Sequence, residues 1–291
     1  MKKIIFVCLL LFIVLLSACS EKKESVTVNG EENNVGTEPE LTPEQEDQGS
    51  KDKEEEKEKK KELEPVTVEP VEPKYKVNQQ NWLVQPLEKS TNEKVVLLTI
   101  DDAPDEHAVE MAKTLKALDA GAIFFVNGHF LDTPEEKEAL KKIHEMGFII
   151  GNHTYNHPFL PDLSKEEQKE EIVSINNLVE EIIGQRPLFF RAPNGANTDY
   201  SKQIVQEQGM VLMNWSYGYD YFKPYMNAKK LTKAMVTGKA PEIDIPYSLL
   251  KPGANLLMHD REWTANALHD IVVGLRNQGY EIVDPNLIKI N

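Results

Sequence analysis

Apolar and polar positions divide this chain into three parts. An apolar run covers residues 4–16, a polar stretch follows to residue 79, and from about residue 80 strand-like and helix-like patterns alternate. The first clear strand, at residues 95–100, is a continuous apolar run with β-branched residues, which is typical of a strand covered on both faces. Helical spacing of apolar residues follows at 106–118. The pattern therefore predicts one folded domain at residues 80–291.

The alternation of strands and helices continues to the end of this domain. Strands are expected at 122–126, 148–151, 188–191, 210–215, 255–258 and 280–283, and helices at 134–146, 164–183, 200–208, 228–236 and 264–278. Such alternation predicts right-handed βαβ units and a parallel sheet. About seven parallel strands favour an α/β fold of the distorted, incomplete (β/α) barrel type. A doubly wound open sheet is the alternative, although no glycine-rich phosphate loop follows the first strand.

The first 19 residues have the pattern of a secretory signal. Lys2 and Lys3 precede an apolar run that is too short for a stable membrane span, and the run ends in Leu-Ser-Ala-Cys at Cys19. This ending resembles the bacterial lipobox. The alternative is an ordinary secretory signal peptide that is cleaved nearby. Without Cys8, which lies in the apolar run, Cys19 is the only thiol, so no internal disulfide can form. We expect a signal peptide at 1–19 and a lipid anchor on Cys19.

Residues 20–79 are expected to form a disordered, acidic tether. Acidic residues are about twice as frequent as basic ones there, and large apolar residues are nearly absent, so little burial could offset the entropy of ordering. The chain has a net charge of -15 and no basic cluster interleaved with aromatic residues, which argues against a nucleic-acid partner. We expect a monomeric folded domain that is lipid-anchored at the extracytoplasmic face of a bacterial membrane.

Side chains suited to metal binding follow two of the predicted strands. Asp101 and Asp102 are adjacent carboxylates, which repel each other unless a cation compensates their charge. His153 and His157 are four residues apart, which would put both imidazoles on one face of a helical turn. Two His and one Asp form a facial ligand set with open positions. Taken singly, the aspartates also suit a turn or a helix N-cap, and such histidines are common on surfaces.

Further motifs follow other predicted strands, at Arg191-x-Pro193-Asn194-Gly195, at Asp220-Tyr221 and at Leu257-x-His259. Together with the Asp101-Asp102 and His153 to His157 motifs, and in this order along the chain, they resemble the motifs of the polysaccharide deacetylase family, also called NodB-type domains or carbohydrate esterase family 4. The first motif is Thr99-Ile100-Asp101-Asp102, with Ile in place of the usual Phe. The second, His153 to His157, matches in full, and the third, Arg191-x-Pro193-Asn194-Gly195, has Asn in place of an aromatic residue. The last motif, Leu-x-His, is present at Leu257 and His259. The fourth motif is incomplete, because Asp220 is present but Tyr221 stands where Trp is usual.

The resemblance implies a role for each matched residue. Asp102, His153 and His157 would hold a divalent ion, most often Zn2+ in the family, with Co2+, Ni2+ or Mn2+ as alternatives. Asp101 would be the general base and Arg191 would hold its carboxylate, while His259 would protonate the leaving amine and Asp220 would raise the pKa of His259. The remaining roles concern the substrate: an oxyanion donor from the backbone of Asn194, since Pro193 has no N–H, an acetyl pocket at Leu257 and a groove wall at Tyr221.

The resemblance implies a metal-dependent hydrolase that removes N-acetyl groups from a glycan containing N-acetylglucosamine. The predicted anchor and tether would hold the domain beside the cell wall, which favours peptidoglycan as the substrate. Because the fourth motif is incomplete, a catalytically weak or inactive glycan-binding lipoprotein that keeps the metal site is the main alternative. A third hypothesis is an esterase or small-amide hydrolase with the same metal centre. A further alternative is that His259 is a buried histidine of the core with no catalytic role.

Overall fold

The computed structural model describes residues 72–290. The predicted signal peptide, Cys19 and the predicted tether up to residue 71 therefore lie outside the described residues. The strands, in chain order, are β1 (Tyr75–Val77), β2 (Val84–Pro86), β3 (Val95–Ala103), β4 (Ile123–Val126), β5 (Ile149–Asn152), β6 (Phe189–Phe190), β7 (Val211–Leu212), β8 (Ala254–His259) and β9 (Glu281–Ile282). The helices are α1 (Ala108–Ala117), α2 (Pro134–Glu145), α3 (Lys165–Ile183), α4 (Asp199–Glu207), α5 (Ala228–Thr237) and α6 (Glu262–Asn277). Among these helices none has the length and apolar character that a membrane span requires.

Seven parallel strands form one curled sheet. Its order is β7-β6-β5-β4-β3-β8, and β9 pairs with the beginning of β3. The two ends of this order approach each other, because Tyr217, in the segment after β7, forms an isolated parallel bridge with Leu256 in β8. A doubly wound sheet would keep its edges apart. The predicted distorted, incomplete barrel of about seven parallel strands is therefore confirmed, and the open-sheet alternative is not what the chain adopts.

The apolar run at the start of β3 is explained by burial on both faces of the strand. Val96, Leu98 and Ile100 pack in the cluster that includes helical residues of α1 and α6. Val95 and Leu97 belong to a second cluster built from the other side of the neighbouring strands. Because successive side chains in a strand point to opposite faces, a strand between two apolar layers must be apolar at every position.

The domain begins earlier than the sequence pattern indicated. β1 lies before the predicted boundary at residue 80 and pairs in antiparallel fashion with β2. Tyr75 and Val77 are buried in the second apolar cluster, and Lys289 N–H donates to Tyr75 C=O at 2.8 Å. Two apolar residues in a three-residue strand are too few to give a periodic signal, so the predicted tether overlapped this strand.

Candidate active site and metal centre

The carboxyl edge of the sheet gathers the motif residues around one cavity. Asp101 and Asp102 lie at the end of β3, His153 follows β5, and His259 ends β8. Because parallel strands present their carboxyl ends at the same edge, residues distant in sequence meet there. The cavity has a volume of about 560 Å³ and is lined by Asp101, Asp102, His153, His157, Asn194, Trp215, Asp220, Tyr221, Met226, Leu257, His259, Arg261 and Trp263.

Asp102, His153 and His157 bring three ligand-type atoms together. One such atom from each residue lies within 4.8 Å of the other two. Asp102 Oδ1 is 3.5 Å from His157 Nε2 and 3.8 Å from His153 Nε2. The histidine pair is not on a helical turn, which corrects our expectation. It lies on an irregular loop in which Thr154 and His157 have φ values of 69° and 55°, and this left-handed backbone turns the second imidazole toward the first.

The donor chemistry of these three residues fits a divalent transition metal. His153 Nδ1 is 2.7 Å from the carbonyl oxygen of Arg191, which can only accept, so Nδ1 carries the hydrogen and Nε2 keeps its lone pair. Burial lowers the pKa of His153 to about 3, so this imidazole need not lose a proton in order to bind a cation. One carboxylate and two neutral imidazoles form a donor set of the kind found at catalytic zinc sites.

Arg191 is fully buried against Asp101. Its Nη1 donates to Asp101 Oδ1 at 2.5 Å and to Thr99 Oγ1 at 2.8 Å, and its guanidinium lies over the Phe125 ring at 4.3 Å. The second oxygen of Asp101, Oδ2, is 3.6 Å from His153 Nε2 and so faces the candidate metal centre. Burial raises the pKa of Asp101, and Arg191 opposes that rise. The arrangement leaves one carboxylate oxygen available to accept a proton.

Asp220 holds His259 through two hydrogen bonds. The buried carboxylate accepts from His259 Nδ1 at 2.8 Å and from the backbone N–H of His259 at 2.6 Å. Thr264 Oγ1 donates to the same carboxylate at 2.9 Å. Burial by itself lowers the pKa of His259, but the charge of Asp220 and its hydrogen bond outweigh burial and raise that pKa to about 9. His259 is therefore cationic at neutral pH and can donate a proton into the cavity.

The four residues predicted to contact substrate differ in their placement. Asn194 is exposed at the cavity with φ 55°, a left-handed conformation that Asn tolerates. Leu257 is buried in the cavity wall, and Tyr221 is 44% exposed there, with its ring in a T-shaped arrangement with the His259 ring at 5.6 Å between centroids. Pro193 is buried and does not line the cavity, so it shapes the turn that presents Asn194.

Sequence reasoning missed several residues of this site. Asp260 and Arg261 directly follow His259, and Arg261 Nη2 donates to Asp102 Oδ2 at 2.8 Å. Trp263 lines the cavity and donates from Nε1 to the carbonyl oxygen of Asp220 at 2.8 Å. The Asp-Arg pair follows a predicted strand, which is the signal that identified Asp101 and Asp102. The contacts of Trp263 had no such signal, because it lies in the first turn of α6.

Comparisons with known proteins place this chain among polysaccharide deacetylases. A family profile described as polysaccharide deacetylase matches residues 88–213. The chain is 30% identical over 195 residues to the peptidoglycan-N-acetylmuramic acid deacetylase PdaA of Bacillus subtilis strain 168, covering 66% of this chain and 70% of PdaA. It is 31% identical over 197 residues to the peptidoglycan-N-acetylglucosamine deacetylase PgdA of Listeria monocytogenes, covering 67% of this chain but only 39% of PgdA.

The fold is shared with solved structures. BA3943 of Bacillus anthracis, described as a CE4 family pseudoenzyme, superposes with a TM-score of 0.59 and 25% sequence identity, covering 68% of each chain. A protein described as a pseudoenzyme therefore has this fold. The side chains at the carboxyl edge of the sheet, rather than the fold, must support any assignment of activity.

Proposed function

The chain belongs to the polysaccharide deacetylase family, carbohydrate esterase family 4, and from this premise we propose that it is a metal-dependent hydrolase of N-acetyl groups on the N-acetylhexosamine residues of peptidoglycan. The observation that supports it best is one cavity that contains three kinds of group. These are the Asp102, His153 and His157 donors, the Asp101 carboxylate paired with Arg191, and the His259 imidazolium paired with Asp220. Amide hydrolysis requires an electrophilic centre, a base and an acid.

Asp102, His153 and His157 would hold the divalent ion, and we propose Zn2+ because a carboxylate with two imidazoles suits its ligand preferences. When bound, such an ion acts as a Lewis acid toward the acetamide carbonyl and lowers the pKa of water. The buried, neutral His153 is already in the protonation state that ligation needs, and Asp102 Oδ1 lies 3.8 Å from its Nε2.

In the proposed reaction, Asp101 Oδ2 takes a proton from the water molecule whose oxygen attacks the acetyl carbonyl carbon. Arg191 keeps the Asp101 carboxylate in place, since its guanidinium is itself fixed by Thr99 and by the backbone of Asn214. The backbone N–H of Asn194 is proposed to donate to the developing oxyanion. His259 then protonates the nitrogen as the amide C–N bond breaks, which releases acetate and the free amine.

Asp220 bears on the alternative of a glycan-binding protein without turnover. That alternative arose because Tyr221 stands where Trp is usual in the fourth motif. Asp220, the motif's acid, lies within hydrogen-bonding distance of both His259 atoms that it would need to hold. Tyr221 lies at the cavity wall rather than between Asp220 and His259. We therefore expect the Tyr in place of Trp to affect glycan binding more than proton transfer.

Extracytoplasmic action is consistent with relatives that are named for peptidoglycan, and the lipid anchor on Cys19 is part of our proposal. The anchor is tested by metabolic labelling of the full chain with a tagged fatty acid, with Cys19→Ala as the control. Label in the wild type and none in the variant supports the anchor. Equal labelling of both, or labelling of neither, contradicts it.

Acetate release tests the activity. Purified, zinc-loaded protein is incubated with peptidoglycan and, separately, with N-acetylglucosamine oligomers and an O-acetylated glycan, and acetate is measured. We expect release from the N-acetyl substrates and a loss of about 10²–10⁴-fold in Asp101→Asn, which keeps the shape of the side chain but removes the base. Glycan binding with no wild-type acetate release would support the non-catalytic alternative, and release from the O-acetylated glycan alone would support an esterase.

A further inference from the structure

The two oxygens of the Asp102 carboxylate face different partners. Oδ1 faces the imidazoles, at 3.5 Å from His157 Nε2 and 3.8 Å from His153 Nε2. Oδ2 accepts a hydrogen bond from Arg261 Nη2 at 2.8 Å. A carboxylate can ligate a cation through one oxygen or through both, and the second mode uses an additional coordination position. With Oδ2 hydrogen-bonded to a guanidinium, the oxygen that Asp102 presents to the two imidazoles is Oδ1.

Arg261 is itself fixed by its surroundings. Its Nη1 donates to the backbone carbonyl of Asp260 at 2.7 Å and lies 3.4 Å from Asp105 Oδ2. The guanidinium, which belongs to the segment after β8, therefore bridges Asp102 at the end of β3 and Asp105 in the loop that follows. A planar fork holds two such partners in a fixed geometry, whereas the ammonium of lysine is a point charge on a flexible stem.

Asp260 also connects the segment after β8 with the loop after β3. Its buried carboxylate accepts from the backbone N–H groups of Asp105 at 2.7 Å, His107 at 2.7 Å and Ala108 at 2.9 Å. The beginning of α1 is thus held to the end of β8, next to the strand pair in which Asp101 is opposite His259. Arg261 consequently approaches Asp102 from a rigid base rather than from a mobile surface loop.

We propose that Arg261 is a positioning residue that restricts Asp102 to one-oxygen ligation and so keeps coordination positions open for water and the acetyl carbonyl. This inference rests on the proposed function. It concerns a residue outside the motifs by which the chain resembles its family. Partners that orient a metal ligand typically change metal affinity or activity by about 10- to 100-fold when they are removed.

Charge and orientation predict different results at this position, which makes the inference testable. As a cation close to the ion, Arg261 would repel it, so a role through charge alone predicts that its loss tightens metal binding without changing the ligands. As an orienting group it would hold Oδ2 away from the ion, so its loss would let the second carboxylate oxygen bind and raise the coordination number. The visible spectrum of the Co2+ form of Arg261→Gln, which depends on the coordination number, therefore distinguishes the two roles.

The experiment measures Zn2+ and Co2+ dissociation constants of the full-chain protein by titration calorimetry, together with the visible spectrum of the Co2+ form. Arg261→Gln is expected to lower the visible absorption, because an added carboxylate oxygen raises the coordination number, and to lower acetate release by about 10- to 100-fold. Arg261→Lys is expected to share the changed spectrum. Arg186→Gln, which removes an exposed arginine paired with Glu180, is the control and should match wild type.

An unchanged cobalt spectrum in Arg261→Gln would overturn the inference whatever the change in affinity, and a wild-type spectrum in Arg261→Lys would overturn the role of the planar fork. If Arg261→Gln does not fold, Asp105→Asn provides the test, since it removes the second anchor of the guanidinium and should change the cobalt spectrum in the same direction. Absence of metal binding in the wild type would instead refute the proposed function, so the two failures are distinguishable.

Discussion

Replacing Asp220 by Asn should move the alkaline limb of the pH dependence of kcat/KM to lower pH. In the native site the pKa of His259 is raised from 6.5 to about 9, since the charge of Asp220 and its hydrogen bond outweigh the effect of burial. A raised pKa keeps the imidazole cationic below pH 9, and the proton is lost as the pH rises through that value. Activity that depends on this acid is therefore expected up to about pH 9.

The magnitude follows from the charge that the variant removes. Without the Asp220 carboxylate, burial lowers the pKa of His259 and only the smaller effects of the Asp101 and Asp102 charges oppose it, so we expect the pKa to fall toward its ordinary value of 6.5. At pH 8 the cationic fraction then falls from roughly 0.9 to roughly 0.03 by the titration relation. We expect kcat/KM at pH 8 to fall by about 30-fold or more, while the loss at pH 6 is smaller.

The assay is acetate release from an N-acetylglucosamine oligomer between pH 5 and pH 10 at constant ionic strength. The matched control is Thr264→Val, which removes a hydrogen bond to Asp220 but retains the carboxylate charge, and its limb should stay near the wild-type position. If the Asp220→Asn enzyme keeps a limb near pH 9, Asp220 does not set the acid's pKa, and the assignment of His259 as the general acid loses its basis.

Three further perturbations test other parts of the site. His157→Ala should reduce Zn2+ affinity and activity together, as measured by calorimetry and acetate release, and retained affinity would contradict the ligand assignment. Arg191→Met should lower the free energy of unfolding by about 3–5 kcal/mol in urea titrations, because it leaves the buried Asp101 unpaired; the double variant with Asp101→Asn should recover part of that loss, and no recovery would argue against the pair. Tyr221→Ala should raise KM for the glycan by about 2- to 10-fold with little change in kcat, and Tyr221→Phe should not; an unchanged KM would exclude stacking on the sugar.

Much of the fold was predictable because the apolar pattern reflects burial that recurs along the chain. The run at the start of β3 is apolar at each position since both faces are covered, and α3 ends at Gly184, where φ is 73° and glycine is favoured. The predicted strand at 210–215 is reduced to Val211–Leu212, since the chain leaves the sheet toward the segment that bridges β8. Closure of the sheet depends on this long-range pairing, for which the local pattern gives no signal.

The candidate site was predicted in part, as residue types at strand ends. Asp101, Asp102 and His259 belong to long strands with clear apolar patterns, so their common edge follows from parallel pairing. His157 illustrates what was missed, because its approach to His153 depends on left-handed backbone in an irregular loop rather than on helical spacing. The bond from Arg261 to Asp102 joins residues of two different strand ends and has no counterpart in local sequence.

The alternation of strands and helices, the edge at which functional groups gather and the motif residues could all be read from the amino-acid sequence. These features follow from side-chain periodicity and residue chemistry, which act locally along the chain. Tertiary structure alone decided which oxygen of Asp102 faces the imidazoles, how far the pKa of His259 rises above 6.5 and where the sheet curls toward closure. Each depends on distances of a few ångströms between segments remote in sequence, and electrostatic energies and hydrogen bonds depend steeply on those distances.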